Sequence, residues 1–144
     1  MSSEPRRKVV VIVVARAPLA VLALKRPEKD PTAAAGAWQP VTGNVDDGER
    51  EADAAPREVL EETGLEGRLH DLGLTLRFTP EKGRHAGRPV EERVFVLEAA
   101  SRDVELSREH EAYAWLTPEE AIARYPFAHQ KEATRRALQY VLET

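Results

Sequence analysis

A chain of 144 residues suits one domain with one core. With 42% apolar and 32% charged residues it is too apolar to stay disordered, and a net charge of −4 argues against non-specific nucleic-acid binding. Cysteine is absent, which excludes a disulfide framework and thiolate catalysis, and an anionic substrate would need local cations or a metal.

In chain order, residues 9–14 read as a buried strand. The apolar run 9–15 is too short to span a bilayer. Arg6-Arg7-Lys8 precedes it, but the run is β-branched and no small-residue cleavage site follows cleanly, so it is not read as a signal peptide. No membrane partner and a cytoplasmic location are the expectation. Ala17-Pro18 makes a turn into a second strand at 19–24, and 27–36 is a loop rich in Pro, Asp and Ala. Residues 38–45 look like short strands interrupted at Gly43, followed by a turn at 46–49.

The period turns helical from about Asp53 to Thr63, and Gly64 stands where a left-handed glycine would end a helix. Residues 69–79 and 90–99 read as strands around a polar turn, and 112–116 as a further short strand. Thr117-Pro118-Glu119-Glu120 carries N-cap and N1-proline chemistry for a short helix. Apolar residues at 133, 137, 138, 141 and 142 fit a C-terminal amphipathic helix over 130–142. This order of elements predicts an α+β fold, a mixed β-sheet sandwiched between α-helices.

Glu58, Glu61 and Glu62 crowd one helical face at i, i+3 and i+4. Like charges at this spacing repel, and the helix dipole disfavours anions near a C-terminus. Arg57 relieves part of the charge, for instance by pairing with Glu61. A hard divalent cation would turn this liability into a site, since Mg²⁺ favours carboxylate oxygens. Taken alone, the same residues read first as a solvated acidic face.

The wider stretch resembles the Nudix signature: Gly, five residues, Glu, seven residues, Arg-Glu, apolar, any, Glu-Glu, any, Gly, apolar. The matches are Gly43, Glu49, Arg57, Glu58, Val59, Glu61, Glu62, Gly64 and Leu65. The resemblance implies a Nudix fold in one domain over residues 1–144. It implies a hydrolase that splits a phosphate–phosphate bond in a small nucleotide-like substrate with Mg²⁺ (or Mn²⁺), and a homodimer as one possible assembly. It makes Glu58 and Glu62 the main metal ligands, Glu61 a further ligand or base, and the Gly43 carbonyl a backbone ligand. Glu49 and Arg57 would brace the catalytic helix, partly through a salt bridge. Pro56 departs from the family pattern. It predicts either a helix start near Asp53 or a kink before Pro56, because an interior proline removes a backbone bond.

Outside the box, residues 38–43 (Trp-Gln-Pro-Val-Thr-Gly) and 109–116 are similar to segments of bacterial dihydroneopterin triphosphate pyrophosphatases, which also act on dATP. That resemblance makes Glu109 the glutamate completing the metal site, with Glu111 as the alternative, and gives Arg26 and Thr42 substrate contacts. Trp38 is a candidate for stacking on a base, whereas Trp115 reads as packing. The four histidines have no metal-ligand spacing, and His110 is the one beside a site candidate. Rival readings are a dinucleoside polyphosphate hydrolase, an ADP-ribose or ADP-sugar hydrolase suggested by Pro80, and a non-catalytic nucleotide sensor. A hairpin turn explains Pro80 equally well, and sensors usually lose the glutamates that this chain keeps.

Overall fold

Six consecutive β-branched residues, 9–14, can be buried together only in a strand covered on both faces. In the computed structural model, which describes residues 4–28 and 36–144, β1 (Arg6–Ala15) is that strand. Val9, Val11 and Val13 face Ala54, Ala55 and Val59 of helix α1 (Glu51–Thr63). Val10, Ile12 and Val14 face Ala121 of α2 (Pro118–Arg124), Tyr125, and Ala133, Ala137 and Val141 of α3 (Ala128–Glu143). The result is the expected sandwich of helix, sheet and helices.

The other strands are β2 (Ala20–Lys25), β3 (Trp38–Gln39), β4 (Val41–Asn44), β5 (Gly67–Phe78), β6 (Val90–Ala99) and β7 (Ala112–Leu116). β1 pairs in parallel with β6, and β5 closes that side antiparallel to β6. Along its other edge β1 changes partner, pairing Lys8–Val11 with β4 but only Val14 and Ala15 with β2. β2 then diverges, held by β7 and β3. Residues 38–44 therefore cross from one half of the sheet to the other. The break falls at Pro40, not at Gly43 as expected, and Gly43 lies inside β4, opposite Val9. A proline suits the crossover because it has no N–H to leave unpaired. Most of the loop expected over 27–36 falls outside the described residues.

The late start of α1 is overturned. The helix begins at Glu51, with Arg50 at the N-cap, and Pro56 lies within it. Ala52 and Pro56 are both exposed, so the carbonyl that loses its partner faces water. An interior proline costs about 3 kcal/mol even in an exposed helix, and burial of Ala54, Ala55 and Val59 against β1 outweighs it. Gly64 ends the helix as expected, at φ 71°, its N–H donating to the Leu60 carbonyl. The Thr117–Glu120 capping box also forms and starts α2.

Candidate active site

Arg57 organises helix α1. Its Nε and Nη2 donate to both Glu49 oxygens at 2.8 and 2.9 Å, and Nη2 also donates to the Asn44 carbonyl at 3.0 Å. Nη1 reaches Glu58 at 3.0 Å and Glu61 at 3.2 Å. One guanidinium thus ties β4, the 46–49 turn and α1 together, which its rigid fork of donors permits. The Arg57 contacts and the Asp46 N–H hold the Glu49 carboxyl down at about 2.

Glu58 and Glu62 lie one turn apart against β4. Glu62 is 3% exposed, and burial, followed by the hydrogen bond to Glu58, pushes its carboxyl up to about 10. Burial also raises Glu58. A Cβ on Gly43 would overlap the Glu58 carboxylate, so only glycine lets that side chain lie over the strand. Glu62 Oε2 is buried and has no hydrogen-bond partner. An orphaned carboxylate oxygen in a glycine-made cradle fits a hard oxygen-seeking cation better than it fits a closed structural ion pair. Among the described residues no three carboxylates or imidazoles converge as a ready-made cage, and Glu61 is exposed and turned to Arg57.

The remaining candidates divide. Glu109 is exposed in the loop before β7, and its charge helps to raise Glu62, so the two carboxylates are near neighbours. Glu111 is drawn away by Lys25, at 3.0 Å. Arg26 follows β2, bonded through its N–H to the Ala37 carbonyl, and its charge acts on both Glu62 and Lys8. Thr42 is half-buried in β4, opposite Val10. Trp38 packs against the α2–α3 core with Arg124 over its ring at 5.6 Å. Trp115 donates to the Arg102 carbonyl at 3.1 Å, a packing role as expected. Pro80 accepts from Gly87 N–H at 2.8 Å and so closes the β5–β6 turn.

Two residues gain weight from the structure. Burial lowers the Lys8 ammonium, with Arg6 and Arg26 acting the same way against Glu92 and Glu62. Arg6 and Lys8 share one face of β1, and their charges, with those of Arg84 and Arg88, all bear on His85. A basic cluster therefore stands at the start of β1. His110, whose charged neighbours suggest surface loop, is fully buried beside Glu62. In sequence the only hints were a lysine next to a buried strand and a histidine next to Glu109.

Comparison with known proteins identifies the family. The model of the NUDIX domain matches residues 5–138. The chain belongs to the Nudix family. Among curated proteins this Nudix chain is 37% identical over 137 residues to an octanoyltransferase of Myxococcus xanthus, covering 92% of the chain but only 37% of that protein. It is 33% identical over 113 residues to the asymmetrical bis(5'-nucleosyl)-tetraphosphatase of Rattus norvegicus, covering 74% of each. The structure of the E. coli dihydroneopterin triphosphate pyrophosphohydrolase superposes with a TM-score of 0.76 at 26% identity, over 97% of this chain and 99% of that one. No helix among the described residues is long and apolar enough to cross a membrane.

Proposed function

We propose that this Nudix domain hydrolyses a diphosphate linkage in a nucleoside triphosphate-like substrate of the dATP or dihydroneopterin triphosphate type, releasing pyrophosphate. The observation that carries the reading is the buried Glu62 carboxylate beside Glu58 in the cradle left by Gly43, with Glu109 close enough for its charge to act on Glu62 while Lys25 draws Glu111 aside. The end-to-end likeness to the E. coli pyrophosphohydrolase supports it. Glu58, Glu62 and the Gly43 carbonyl would hold Mg²⁺ or Mn²⁺, with Glu109 or Glu61 as a further ligand. A metal bound there neutralises phosphate oxygens and lowers the pKa of an attacking water. The chain's own carboxylates supply the base: Glu109 is the first candidate and Glu61 the second. Arg26 and Lys8 meet the polyphosphate, Thr42 contacts the substrate, Trp38 serves α2–α3 packing instead of stacking on a base, and Arg57 holds the helix in place. Most of the rate enhancement then comes from positioning and charge stabilisation.

A second reading, a dinucleoside polyphosphate hydrolase, is favoured by the rat relative. The basic cluster of Arg6, Lys8, Arg84 and Arg88 could accompany additional phosphates. A panel of dATP, dihydroneopterin triphosphate, diadenosine tetraphosphate and ADP-ribose, ranked by kcat/KM with Mg²⁺, separates the two. The expected result is highest efficiency on a triphosphate, with monophosphate and pyrophosphate as first products. Orthophosphate as the direct product, or preference for the tetraphosphate, would discard the first reading, and no Mg²⁺-dependent turnover of any of the four would discard both.

Glu109 has its own test. Glu109→Gln is expected to lower kcat by roughly 10²-fold, in the range for loss of a general base, with KM changed much less. Glu111→Gln is expected to stay near wild type, since Glu111 serves Lys25. The reverse pattern would move the role to Glu111, and two silent variants would return it to Glu61.

A further inference from the structure

A polar ring is buried only at a cost unless it finds partners, and an apolar side chain would fill the His110 position more cheaply. His110 nevertheless projects from a run of charged loop residues into the core. Its Nε2 lies 3.1 Å from the side-chain amide of Gln39 and 3.7 Å from Glu62 Oε1. The His110 and Glu62 side chains are 0% and 4% exposed. Gln39 is itself buried on β3, fixed by its pairing with Leu24.

The two Glu62 oxygens are thereby distinguished. Oε1 faces the imidazole, whereas Oε2 has no hydrogen-bond partner. The loop is pinned at the same place, with Ser107 N–H donating to the Glu62 carbonyl at 3.1 Å and His110 N–H to the Ser107 carbonyl at 3.3 Å. Glu111 N–H donates to the Lys25 carbonyl at 2.9 Å, fixing the loop's far end.

We propose that His110 is a positioning residue: backed by Gln39, its Nε2 holds Oε1 of Glu62 so that Oε2 is presented to a divalent cation, and the same contact seats the loop that carries Glu109. The Gln39 atom at 3.1 Å is the amide nitrogen; with the amide flipped to offer its oxygen and the proton on Nε2, that single N–H is shared between Gln39 and Glu62 Oε1. A Glu62 shift of well under an ångström completes the second bond. The proposal rests on the metal-site reading above. It adds that metal affinity is set from behind the ligand by a residue that touches neither metal nor substrate.

The test is Mn²⁺ titration of the whole chain by electron paramagnetic resonance, without substrate, on His110→Leu, His110→Gln, Gln39→Leu and Glu62→Gln. The expected result is a Mn²⁺ affinity roughly 10–100-fold weaker in His110→Leu, as for other residues that orient a ligand. His110→Gln, which keeps an N–H donor, recovers most of it, and Gln39→Leu falls between. Wild-type affinity in a folded His110→Leu overturns the proposal, and equal losses in the Leu and Gln variants overturn it in favour of simple packing. If His110→Leu does not fold, Gln39→Leu decides, and unchanged affinity there overturns the proposal. Undiminished binding in Glu62→Gln would instead sink the metal-site reading itself.

Discussion

Replacing Glu62 with Gln is expected to lower turnover by at least about 10²-fold, above the 10–100-fold typical of residues that only support a ligand. The same substitution should stabilise the metal-free protein. The Glu62 carboxyl is held at about 10 in the fold against 4.5 for its ordinary value. A raised carboxyl contributes no penalty below pH 4.5 and progressively destabilises the fold as pH rises towards 10, because the unfolded chain ionises and the native chain does not. Glutamine has the same shape and never ionises. In EDTA at pH 8 the variant should therefore melt higher, by about 2–4 °C per kcal/mol gained. Wild type should gain stability from added Mg²⁺, and the variant little. Calorimetry in EDTA and in Mg²⁺ checks both halves. Equal melting in EDTA, or a full Mg²⁺ response in the variant, would remove Glu62 from the site.

The second large effect is expected at Arg57. Arg57→Lys keeps the charge but cannot reproduce two parallel bonds to Glu49 while also reaching the Asn44 carbonyl, Glu58 and Glu61. Turnover should fall roughly 10–100-fold with KM little changed, because the helix that carries the ligands loses its brace. The melting temperature should drop by a few degrees. Glu49 provides an independent readout. Held at about 2, its carboxyl contributes stability above pH 4.5 that is lost as pH falls towards 2. In Arg57→Lys its titration, followed by NMR, should move up towards 4.5, and acid unfolding should begin from a smaller reserve. Wild-type kinetics with an unmoved Glu49 would refute the bracing role.

The contrast between these residues and His110 marks what a sequence can convey. Arg57, Glu58, Glu61 and Glu62 are neighbours on one helix, so the helical period alone brings them together. The bounds of β6 and β7 are those expected, because each is a short apolar stretch between polar turns. α1 starts earlier than expected because packing of Ala54, Ala55 and Val59 on β1 overrides the local cost of Pro56, and that packing is invisible within a short window. The strand break lies at Pro40 and not at Gly43 because the crossover depends on pairing with both β1 and β2, whereas glycine is only a local signal. Burial of His110 and Lys8 needs the three-dimensional meeting of β1, β3, α1 and the 107–111 loop. No pattern within a short window encodes that meeting.

The crossover has a consequence for how this site can be lost. Successive strand residues point to opposite sides, so along 38–44 identity and parity are separate requirements. Gly43 faces Glu58 because it stands an odd number of places from Thr42 and is opposite Val9. Deleting or inserting one residue between Trp38 and Gly43 would keep every glutamate of the box yet turn a side chain into the Glu58 cradle, or carry Gln39 away from His110. Such a frame slip of one place would leave the signature intact to any reader of the sequence while the site it describes no longer assembled.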